Sequence, residues 1–348
     1  MKILVTGGAG FIGSNVAEYY AKKGFEVTCL DNFSRGKLLK KEISTACNWD
    51  NLRTFKNIKL IEADIRDFEK LKVATKDVDI IVHTAAQTAV TTSIQDPRTD
   101  FEVNILGTFN VLEAARLSNC SPILIYCSTN KVYGNNVNTV EVEEKVTRYI
   151  FEDKLKKGIP ETFPIDLCEH TPYGCSKLAA DLYVQDYGHL YGLRSGVFRM
   201  SCIYGPHQFG VEDQGWVAWF IIATLLGNPL TIYGDGKQVR DVLYVSDLIN
   251  AYDSFVNSNI RQDVFNVGGG PSNTISLLEL LDLLEKITGK RSKVHFGDWR
   301  QSDQKVYISN ILKIKEKLNW EPKVSPEKGV RKVVEWIKEN KEKFNTKI

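Results

Sequence analysis

The sequence predicts an α/β protein with a doubly wound parallel sheet and a smaller C-terminal lobe. Short runs rich in β-branched residues alternate with helical patterns through the first half of the chain. Each run is continuously apolar rather than alternating, which is typical of parallel strands that are buried on both faces. Successive parallel strands are joined by right-handed crossovers, so helices are expected on both faces of the sheet.

Six strands are predicted for the large sheet. They are expected at residues 3–5, 27–30, 58–63, 78–83, 123–127 and 195–198. The first helix is expected over about residues 14–23, where Gly24 provides a C-terminal stop. A helix after the fourth strand is indicated by apolar residues at helical spacing: Phe101, Ile105, Val111, Leu112 and Ala115.

The second half of the chain is less regular. We assign residues 1–199 and 240–268 to a large domain, and residues 200–239 and 269–348 to a smaller lobe. Between Tyr133 and Thr171 lie 37 residues rich in Glu and Lys. A connection of this length is more often functional or partly helical than a bare loop, and a solvated surface excursion is the alternative.

Composition excludes several classes of protein. The 348 residues include 45 basic and 43 acidic side chains, so no bulk field favours nucleic acid or an anionic membrane. The longest apolar stretch, residues 216–226, is too short to cross a bilayer. The N-terminus turns to glycines before a signal-peptide core, which favours a cytoplasmic protein. Seven scattered cysteines without a CxxC spacing are expected to be reduced and mostly buried, without structural zinc or any other metal site.

A glycine-rich turn separates the first strand from the first helix. It contains Gly7, Gly10 and Gly13, with Phe11 and Ile12 before the last glycine. Glycines allow a tight turn, close approach of a pyrophosphate and close packing of the helix. The N-terminus of the helix adds free N–H groups and a positive dipole end. This context predicts a Rossmann-type dinucleotide site.

Asp31 lies 18 residues after Gly13, at the end of the second strand. A carboxylate at this place accepts hydrogen bonds from the adenosine ribose and would repel a 2′-phosphate, which favours NAD over NADP. Arg35 lies close enough to complicate that preference. Asp64 ends the third strand near the expected adenine, with capping of the next turn as its alternative role. Further cofactor-binding candidates are Asn32, Ser34, Ile65, Ala85 and Ala86.

A possible acid–base pair follows the fifth strand. Thr171 and Pro172 predict a helix start, which places Tyr173 and Lys177 four residues apart on one face. A free tyrosine has a pKa of about 10. An ammonium nearby and an oxidised nicotinamide would lower this pKa and let the phenol move a proton. Thr129, at the end of the fifth strand, can hydrogen-bond the reacting oxygen or cap the turn.

These motifs, in this order, resemble the extended short-chain dehydrogenase/reductase superfamily that acts on nucleotide sugars. The resemblance covers nearly the whole chain and includes the ordered motifs Gly7/Gly10/Gly13, Asp31, His83–Ala86, Asn104, Ser128–Gly134, Tyr173/Lys177, Arg240–Asp247 and Asn266–Gly268. It implies that Tyr173 is the base and acid, Lys177 its electrostatic and ribose partner, and Thr129 an assisting hydroxyl. It gives Asn104 a structural and cofactor-positioning role. Subunits of this superfamily commonly pair through the Tyr-Lys helix, which implies a homo-oligomer, a dimer or tetramer.

The family's 4,6-dehydratases carry Asp-Glu after the strand-five hydroxyls, whereas this sequence has Asn130 and Lys131. Dehydration is therefore disfavoured, and epimerases, decarboxylases or reductases remain. The segments 128–134, 170–177 and 208–217 resemble CDP-tyvelose (CDP-paratose) 2-epimerases. That resemblance implies inversion at C2 of a CDP-sugar through a 2-keto sugar, with NAD retained. The alternatives are a UDP-hexose 4-epimerase, a GDP-mannose-type epimerase, or a noncatalytic NAD-binding protein of the same fold.

A nucleotide diphosphate needs cations. Arg240 and Arg300 stand where members of the superfamily contact the pyrophosphate or the nucleotide ribose, and surface ion pairs are their alternative role. Gln87 follows the fourth strand and is a candidate for contact with the sugar. Arg199, which is equally a structural candidate, and Gln208 complete the predicted substrate-binding set.

Overall fold

The computed structural model describes residues 1–40, 45–152 and 155–344. Its strands are β1 Lys2–Thr6, β2 Glu26–Asp31, β3 Ile58–Glu62, β4 Ile80–His83, β5 Ile123–Thr129, β6 Val142–Glu144, β7 Tyr149–Phe151, β8 Ser195–Met200, β9 Cys202–Tyr204, β10 Leu230–Tyr233, β11 Val239–Tyr244, β12 Gln262–Val267, β13 Thr274–Ser276, β14 Val294–Gly297 and β15 Val306–Tyr307.

The α-helices are α1 Phe11–Lys22, α2 Arg35–Leu39, α3 Ala46–Arg53, α4 Phe68–Ala74, α5 Val90–Gln95, α6 Pro97–Phe101, α7 Gly107–Arg116, α8 Pro172–Tyr191, α9 Trp216–Leu226, α10 Val245–Val256, α11 Leu277–Thr288, α12 Leu312–Leu318 and α13 Pro326–Glu339. A π-helical turn, Glu102–Leu106, joins α6 to α7, and a 3₁₀ segment, Asn130–Thr139, follows β5.

Seven parallel strands form the central sheet, in the order β12-β8-β5-β4-β1-β2-β3. The predicted fold class is therefore confirmed, and all six predicted strands are present. The seventh strand, β12, was not predicted individually. Helix α1 begins at Phe11, three residues earlier than expected, because Gly10 already occupies its N-cap. Strands β2 and β3 lie on one side of β1, whereas β4 and the later strands lie on the other, so the strand order switches between β1 and β4. Ligands bind at the carboxyl ends of strands near such a switch point.

The apolar runs of the central strands are continuous because each strand supplies two cores. In β1, Ile3 and Val5 pack into the cluster that contains α1 and α10 residues, whereas Leu4 packs into the cluster on the opposite face. Successive side chains of a strand point to opposite faces. Both faces of this sheet are therefore covered by helices.

The smaller sheet is built around β11, which pairs with β9, β13 and β15. Residues 240–268 were predicted to return to the large domain. Strand β11 instead joins the smaller sheet, whereas α10 packs on the large sheet and β12 is one of its strands. The domain division itself stays a prediction. Residues 41–44, 153–154 and 345–348, which its bounds include, lie outside the described residues.

The long segment before α8 packs against the smaller lobe. Its Tyr149, Phe151 and Ile159 are buried in one cluster with Val306 and Tyr307. The structure therefore favours a packed segment over the solvated excursion that was the alternative for residues 134–170.

Two further expectations concern the whole chain. Within the described residues, no helix combines the length and apolar character needed to cross a membrane. All seven cysteines are free, but only Cys29 and Cys127 are buried, while Cys120 and Cys175 are exposed. The expectation that most cysteines are buried is therefore wrong.

Candidate active site

A cleft opens at the carboxyl ends of β1 to β4 and is closed on one side by the segment after β9. The predicted cofactor residues that line it are Gly7, Gly10, Phe11, Ile12, Asp31, Asn32, Ser34, Arg35, Asp64, Ile65, Ala85 and Ala86. Four other lining residues come from the segment after β9: His207, Gln208, Phe209 and Gln214. Residues from both parts of the chain thus face one cleft.

The glycine turn is shaped by close backbone contacts. A Cβ at Gly13 would lie 2.1 Å from the Gly7 carbonyl oxygen, and one at Gly7 would lie 2.7 Å from the Ala85 nitrogen. Gly7 also has a φ of +74°, which disfavours other residues. At Gly10, by contrast, a Cβ would have only the Gly7 oxygen nearby, at 3.1 Å, and this glycine lines the cleft. This cradle, which a side chain at Gly10 would fill, fits a dinucleotide pyrophosphate.

Asp31 fixes this turn from the next strand. One carboxylate oxygen accepts a hydrogen bond from the Ala9 backbone nitrogen at 2.9 Å, and the other accepts one from Phe33 at 2.8 Å. Burial raises the pKa of Asp31, and the backbone N–H donors oppose that rise. The carboxylate is held at the cleft wall, where contact with a ribose stays a prediction.

Two neighbouring cofactor candidates also have protein partners. Asp64 accepts hydrogen bonds from the backbone and guanidinium of Arg66 and from the Asn32 amide, and the Arg66 contacts lower its pKa to about 2. The capping alternative for Asp64 is thus observed. The Arg35 guanidinium donates to the Phe209 carbonyl at 2.8 Å and to the Gln214 side chain at 2.6 Å. It ties the cofactor end of the cleft to the lobe segment.

Thr129, Tyr173 and Lys177 come together where α8 begins beside the end of β5. Thr171 caps the helix as predicted, accepting a hydrogen bond from the Gly174 nitrogen. The Lys177 ammonium donates to the Cys127 carbonyl at 2.7 Å, and the Thr129 hydroxyl lies close enough to the Tyr173 phenol to oppose a rise in its pKa. The three side chains form a compact donor and acceptor set.

Burial dominates the titration of this set. It raises the pKa of Tyr173 to about 12, with Thr129 opposing the rise, and lowers the pKa of Lys177 to about 8. The lowering expected from the ammonium together with an oxidised nicotinamide stays a prediction. The ammonium itself bonds the Cys127 carbonyl and lies over the face of Tyr126, 4.3 Å from the ring centre.

Asn104 supports both halves of the site. Its side-chain oxygen accepts from the Gln87 nitrogen at 2.9 Å, and its amide donates to the Gln87 carbonyl, Asp100 and the Ser176 hydroxyl of α8. The π-helical turn places this buried amide between β4 and α8. Asn104 thus couples the strand that lines the cleft to the helix that carries Tyr173, as its expected structural role requires.

Two predicted substrate contacts have their polar groups bonded inside the protein. The Gln87 side chain donates to Asp100 and to the Ala89 carbonyl, and accepts from the Ala89 nitrogen. Arg199 is 4% exposed and makes a two-point ion pair with Asp181. These internal bonds favour a structural role for both side chains, which for Arg199 was the stated alternative. Gln87 nevertheless lines the cleft, and contact of either residue with a ligand stays a prediction.

The other three candidates differ in their surroundings. Gln208 lines the cleft, and its buried side-chain oxygen has no partner among the described residues. Arg240 forms an ion pair with Asp303 at 2.6 Å. Arg300 pairs with Asp213 at 3.2 Å, and its guanidinium lies 4.1 Å from the centre of the Tyr233 ring. The ion-pair alternative for both arginines is observed, and their contact with substrate stays a prediction.

Comparison with known proteins identifies the family of this chain. The model described as "NAD dependent epimerase/dehydratase family" matches residues 3–268. The chain belongs to this family. The predicted membership of the extended superfamily and the predicted cofactor, NAD, are thereby confirmed.

Individual family members are similar over nearly their full length. CDP-paratose 2-epimerase from Salmonella typhi is 42% identical over 97% of this chain and 99% of that protein. UDP-glucose 4-epimerase from Thermotoga maritima, solved with UDP-glucose, is 32% identical, with a TM-score of 0.81 over 98% of this chain and 99% of that one. The Thermus thermophilus UDP-glucose 4-epimerase complex with NAD is 31% identical, with a TM-score of 0.78 over 97% and 99%.

Sequence reasoning missed Asn48, which braces this site from a distance. Asn48 on α3 donates to the carbonyls of Ala9 and His207, joining the glycine turn to the lobe segment. His207 lines the cleft with a φ of +65°. An asparagine in a short helix carries no sequence signal for such a contact, because the two carbonyls come from distant parts of the chain.

Proposed function

We propose that this protein inverts C2 of CDP-paratose, giving CDP-tyvelose, through a transient 2-keto sugar. One observation carries the proposal: Thr129, Tyr173 and Lys177 meet beside the dinucleotide cleft, with Asn130 and Lys131 where the dehydratases have an acid–base pair. The 42% identical CDP-paratose 2-epimerase supports the choice of carbon and nucleotide.

The glycine turn, Asp31 and the walls of the cleft would hold NAD. When bound, NAD supplies the redox chemistry by accepting a hydride from the carbinol carbon and returning it to the opposite face. Tyr173 takes the hydroxyl proton during oxidation and gives it back during reduction. Thr129 would hold the phenol in place, and Lys177, one turn further along α8, would add positive charge near it. Because NAD is regenerated in each cycle, the protein must retain it.

Removing the phenolic hydroxyl tests the proposal most directly. Purified wild-type protein without added NAD should convert CDP-paratose into CDP-tyvelose, followed by NMR. Tyr173→Phe should lower turnover by about 100-fold or more, because it deletes the proton carrier. The copurifying NAD should remain, since the ring and the cleft are kept.

Tyr183→Phe is the matched control, because Tyr183 is an exposed tyrosine further along the same helix and the substitution keeps its apolar ring. It should keep wild-type turnover. A reaction that consumes one NAD per product, or a Tyr173→Phe protein that is as active as the wild type, would contradict the proposal.

A UDP-hexose 4-epimerase is the second candidate, favoured by the similarity to the UDP-glucose 4-epimerases. The same catalytic set serves either carbon, so the substrate decides. A panel of CDP-, UDP- and GDP-sugars, with products resolved by NMR, separates the two activities and the GDP-mannose-type alternative. A noncatalytic protein would bind NAD and turn over none of them.

An apolar surface supports the expected homo-oligomer. Helices α7 and α8 lie side by side and expose large apolar side chains: Phe109, Leu182, Tyr183, Leu190 and Tyr191. Exposed apolar patches of this kind commonly mark interfaces between proteins. We propose that two copies pair through this surface, which light scattering of the purified protein would test.

A further inference from the structure

The end of β5 meets a C-terminal loop right beside the catalytic threonine. The Lys131 backbone nitrogen donates to the Thr129 hydroxyl oxygen at 3.2 Å. The Lys131 ammonium lies 3.5 Å from the Ser302 carbonyl oxygen, and the neighbouring Asn130 amide lies 3.5 Å from the Gln304 side chain. Lys131 thus contacts the catalytic hydroxyl through its backbone and the 302–304 loop through its side chain.

That loop carries a carboxylate surrounded by cations. Asp303 pairs with Arg240 at 2.6 Å and accepts a hydrogen bond from the Gln304 nitrogen. The positive charges of Arg240, Lys131 and Arg300 all lower the pKa of Asp303. One carboxylate therefore faces three cations, of which only Arg300 has an acidic partner of its own, Asp213, among the described residues. The cluster carries an excess of positive charge.

Lys131 is the cation with the weakest partner in this cluster. An ammonium has three N–H donors, and its one hydrogen-bond acceptor within the described residues is the Ser302 carbonyl, at the long distance of 3.5 Å. Burial lowers the pKa of Lys131, the negative charge of Asp303 opposes this lowering, and the positive charge of Arg240 adds to it. An ammonium held this way loses hydration without full compensation. Binding of an anion would restore the missing interactions.

The position of this ammonium indicates which anion it meets. In a nucleoside diphosphate sugar, one phosphoryl group is attached through oxygen to the anomeric carbon. That group lies between the sugar, which must reach Tyr173, and the nucleoside. Lys131 spans a matching path: its backbone nitrogen contacts Thr129, and its ammonium lies near the Arg240–Asp303 pair.

Building on the nucleotide-sugar epimerisation proposed above, we propose that Lys131 binds the phosphoryl group attached to the anomeric carbon and thereby selects the carbon that reacts. C2 is bonded directly to the anomeric carbon, whereas C4 lies across the ring. A phosphoryl group anchored two residues from Thr129 brings C2 towards Tyr173 and keeps C4 away. Lys131 is thus a specificity-determining residue.

Binding of CDP and CMP to the NAD-loaded protein tests this role without turnover. CDP carries the second phosphoryl group and CMP lacks it, so the ratio of their dissociation constants isolates the contribution of that group. Lys131→Met should weaken CDP binding by about 10- to 100-fold, the size of one lost charge-assisted hydrogen bond. CMP binding should stay within about twofold of the wild type. Isothermal titration calorimetry gives both constants.

Two variants complete the comparison. Lys131→Arg keeps the charge and should keep most of the preference for CDP. Lys305→Met removes an exposed lysine from the same loop region and should bind both nucleotides as the wild type does. An unchanged CDP-to-CMP ratio in Lys131→Met, or an equal loss for both nucleotides, would overturn the proposal.

The outcome is separable from failure of the proposed function. If the wild type does not epimerise CDP-paratose, the function is wrong, and the substrate panel identifies the nucleotide that binds. The diphosphate and monophosphate of that nucleoside then give the same comparison. A preserved ratio in Lys131→Met with that pair overturns the role of Lys131 whichever sugar is the substrate.

Discussion

Two cations at the carboxyl ends of neighbouring strands differ sharply in their partners. Arg199, on β8, has Asp181 at 3.0 and 3.2 Å and also donates to the Tyr133 hydroxyl. Lys131, just after β5, has one carbonyl at 3.5 Å, and it shares the nearby Asp303 carboxylate with Arg240. The strands are adjacent and parallel, so position in the fold alone does not separate these two side chains.

The difference in partners separates a structural charge from a charge available to a ligand. A buried guanidinium with a matched carboxylate has its donors used and its charge balanced, so little remains for a substrate. A loosely held ammonium beside another cation keeps donors free for an incoming anion. Sequence reasoning left Arg199 equally open to a substrate-binding and a structural role, and used Lys131 only to disfavour dehydration. The observed contacts favour the structural role for Arg199 and leave Lys131 with donors for a ligand.

The largest expected effect comes from breaking the matched pair. Arg199→Met should lower the free energy of unfolding by about 3–5 kcal/mol, because it leaves the fully buried Asp181 carboxylate without its counter-charge. Urea denaturation of the purified variant, followed by circular dichroism, measures this change. The Asp181 side chain retains donors from Ser128 and Gln185, which keep the loss within that range.

A double variant tests the same ion pair by removing both of its charges. Arg199→Met combined with Asp181→Leu removes both charges and should recover a substantial part of the lost stability. A stable Arg199→Met protein with a raised KM for the nucleotide sugar would restore the original substrate-binding prediction for Arg199.

An intermediate change in the free energy of unfolding is expected on acidification, because His83 is a buried base that is kept neutral. His83 bonds the hydroxyls of Thr6 and Thr108, and burial lowers its pKa from 6.5 to about 3, with the nearby Lys177 charge adding to the shift. Between these pH values the unfolded chain binds a proton that the folded protein excludes. Acidification from pH 6.5 to 5 should therefore lower the free energy of unfolding by about 2 kcal/mol through this group.

The difference in pH slope isolates His83 from other titrating groups. His83→Gln keeps hydrogen-bonding atoms and does not titrate, so its unfolding free energy should fall less steeply below pH 6.5 than that of the wild type. Urea denaturation at pH 7, 6 and 5 measures both slopes. Parallel slopes would mean that His83 is protonated in the folded protein, against the environment described here.

Most of the fold could be predicted because its signals are local. Continuous apolar runs gave the six predicted strands, and the glycine spacing with Asp31 located the dinucleotide cleft. The placement of β11 could not be predicted, since its sequence suits either sheet and its partners, β9, β13 and β15, are set by tertiary packing. The same holds for the packed segment before α8, whose apolar residues are spread among charged ones.

The residue types of the site could be predicted from the sequence, whereas the hydrogen-bond and ion-pair partners of several side chains could not. Thr129, Tyr173 and Lys177 meet as expected, but Lys177 turns to the Cys127 carbonyl, which no sequence pattern indicates. Gln87 and Arg199 were sound choices by position after a strand or at its end. Their partners, Asp100 and Asp181, lie 13 and 18 residues away in sequence and decide their roles.

The smallest expected change in stability belongs to the loosely held cation. Lys131→Met should alter the free energy of unfolding by less than about 1 kcal/mol, or raise it, because the substitution removes an ammonium whose hydration is poorly replaced. Methionine keeps an unbranched side chain of similar length in the same space. Urea denaturation beside Arg199→Met tests the contrast directly. A loss of stability as large as that of Arg199→Met would show that Lys131 is a structural cation. The contrast between Arg199 and Lys131 would then not hold.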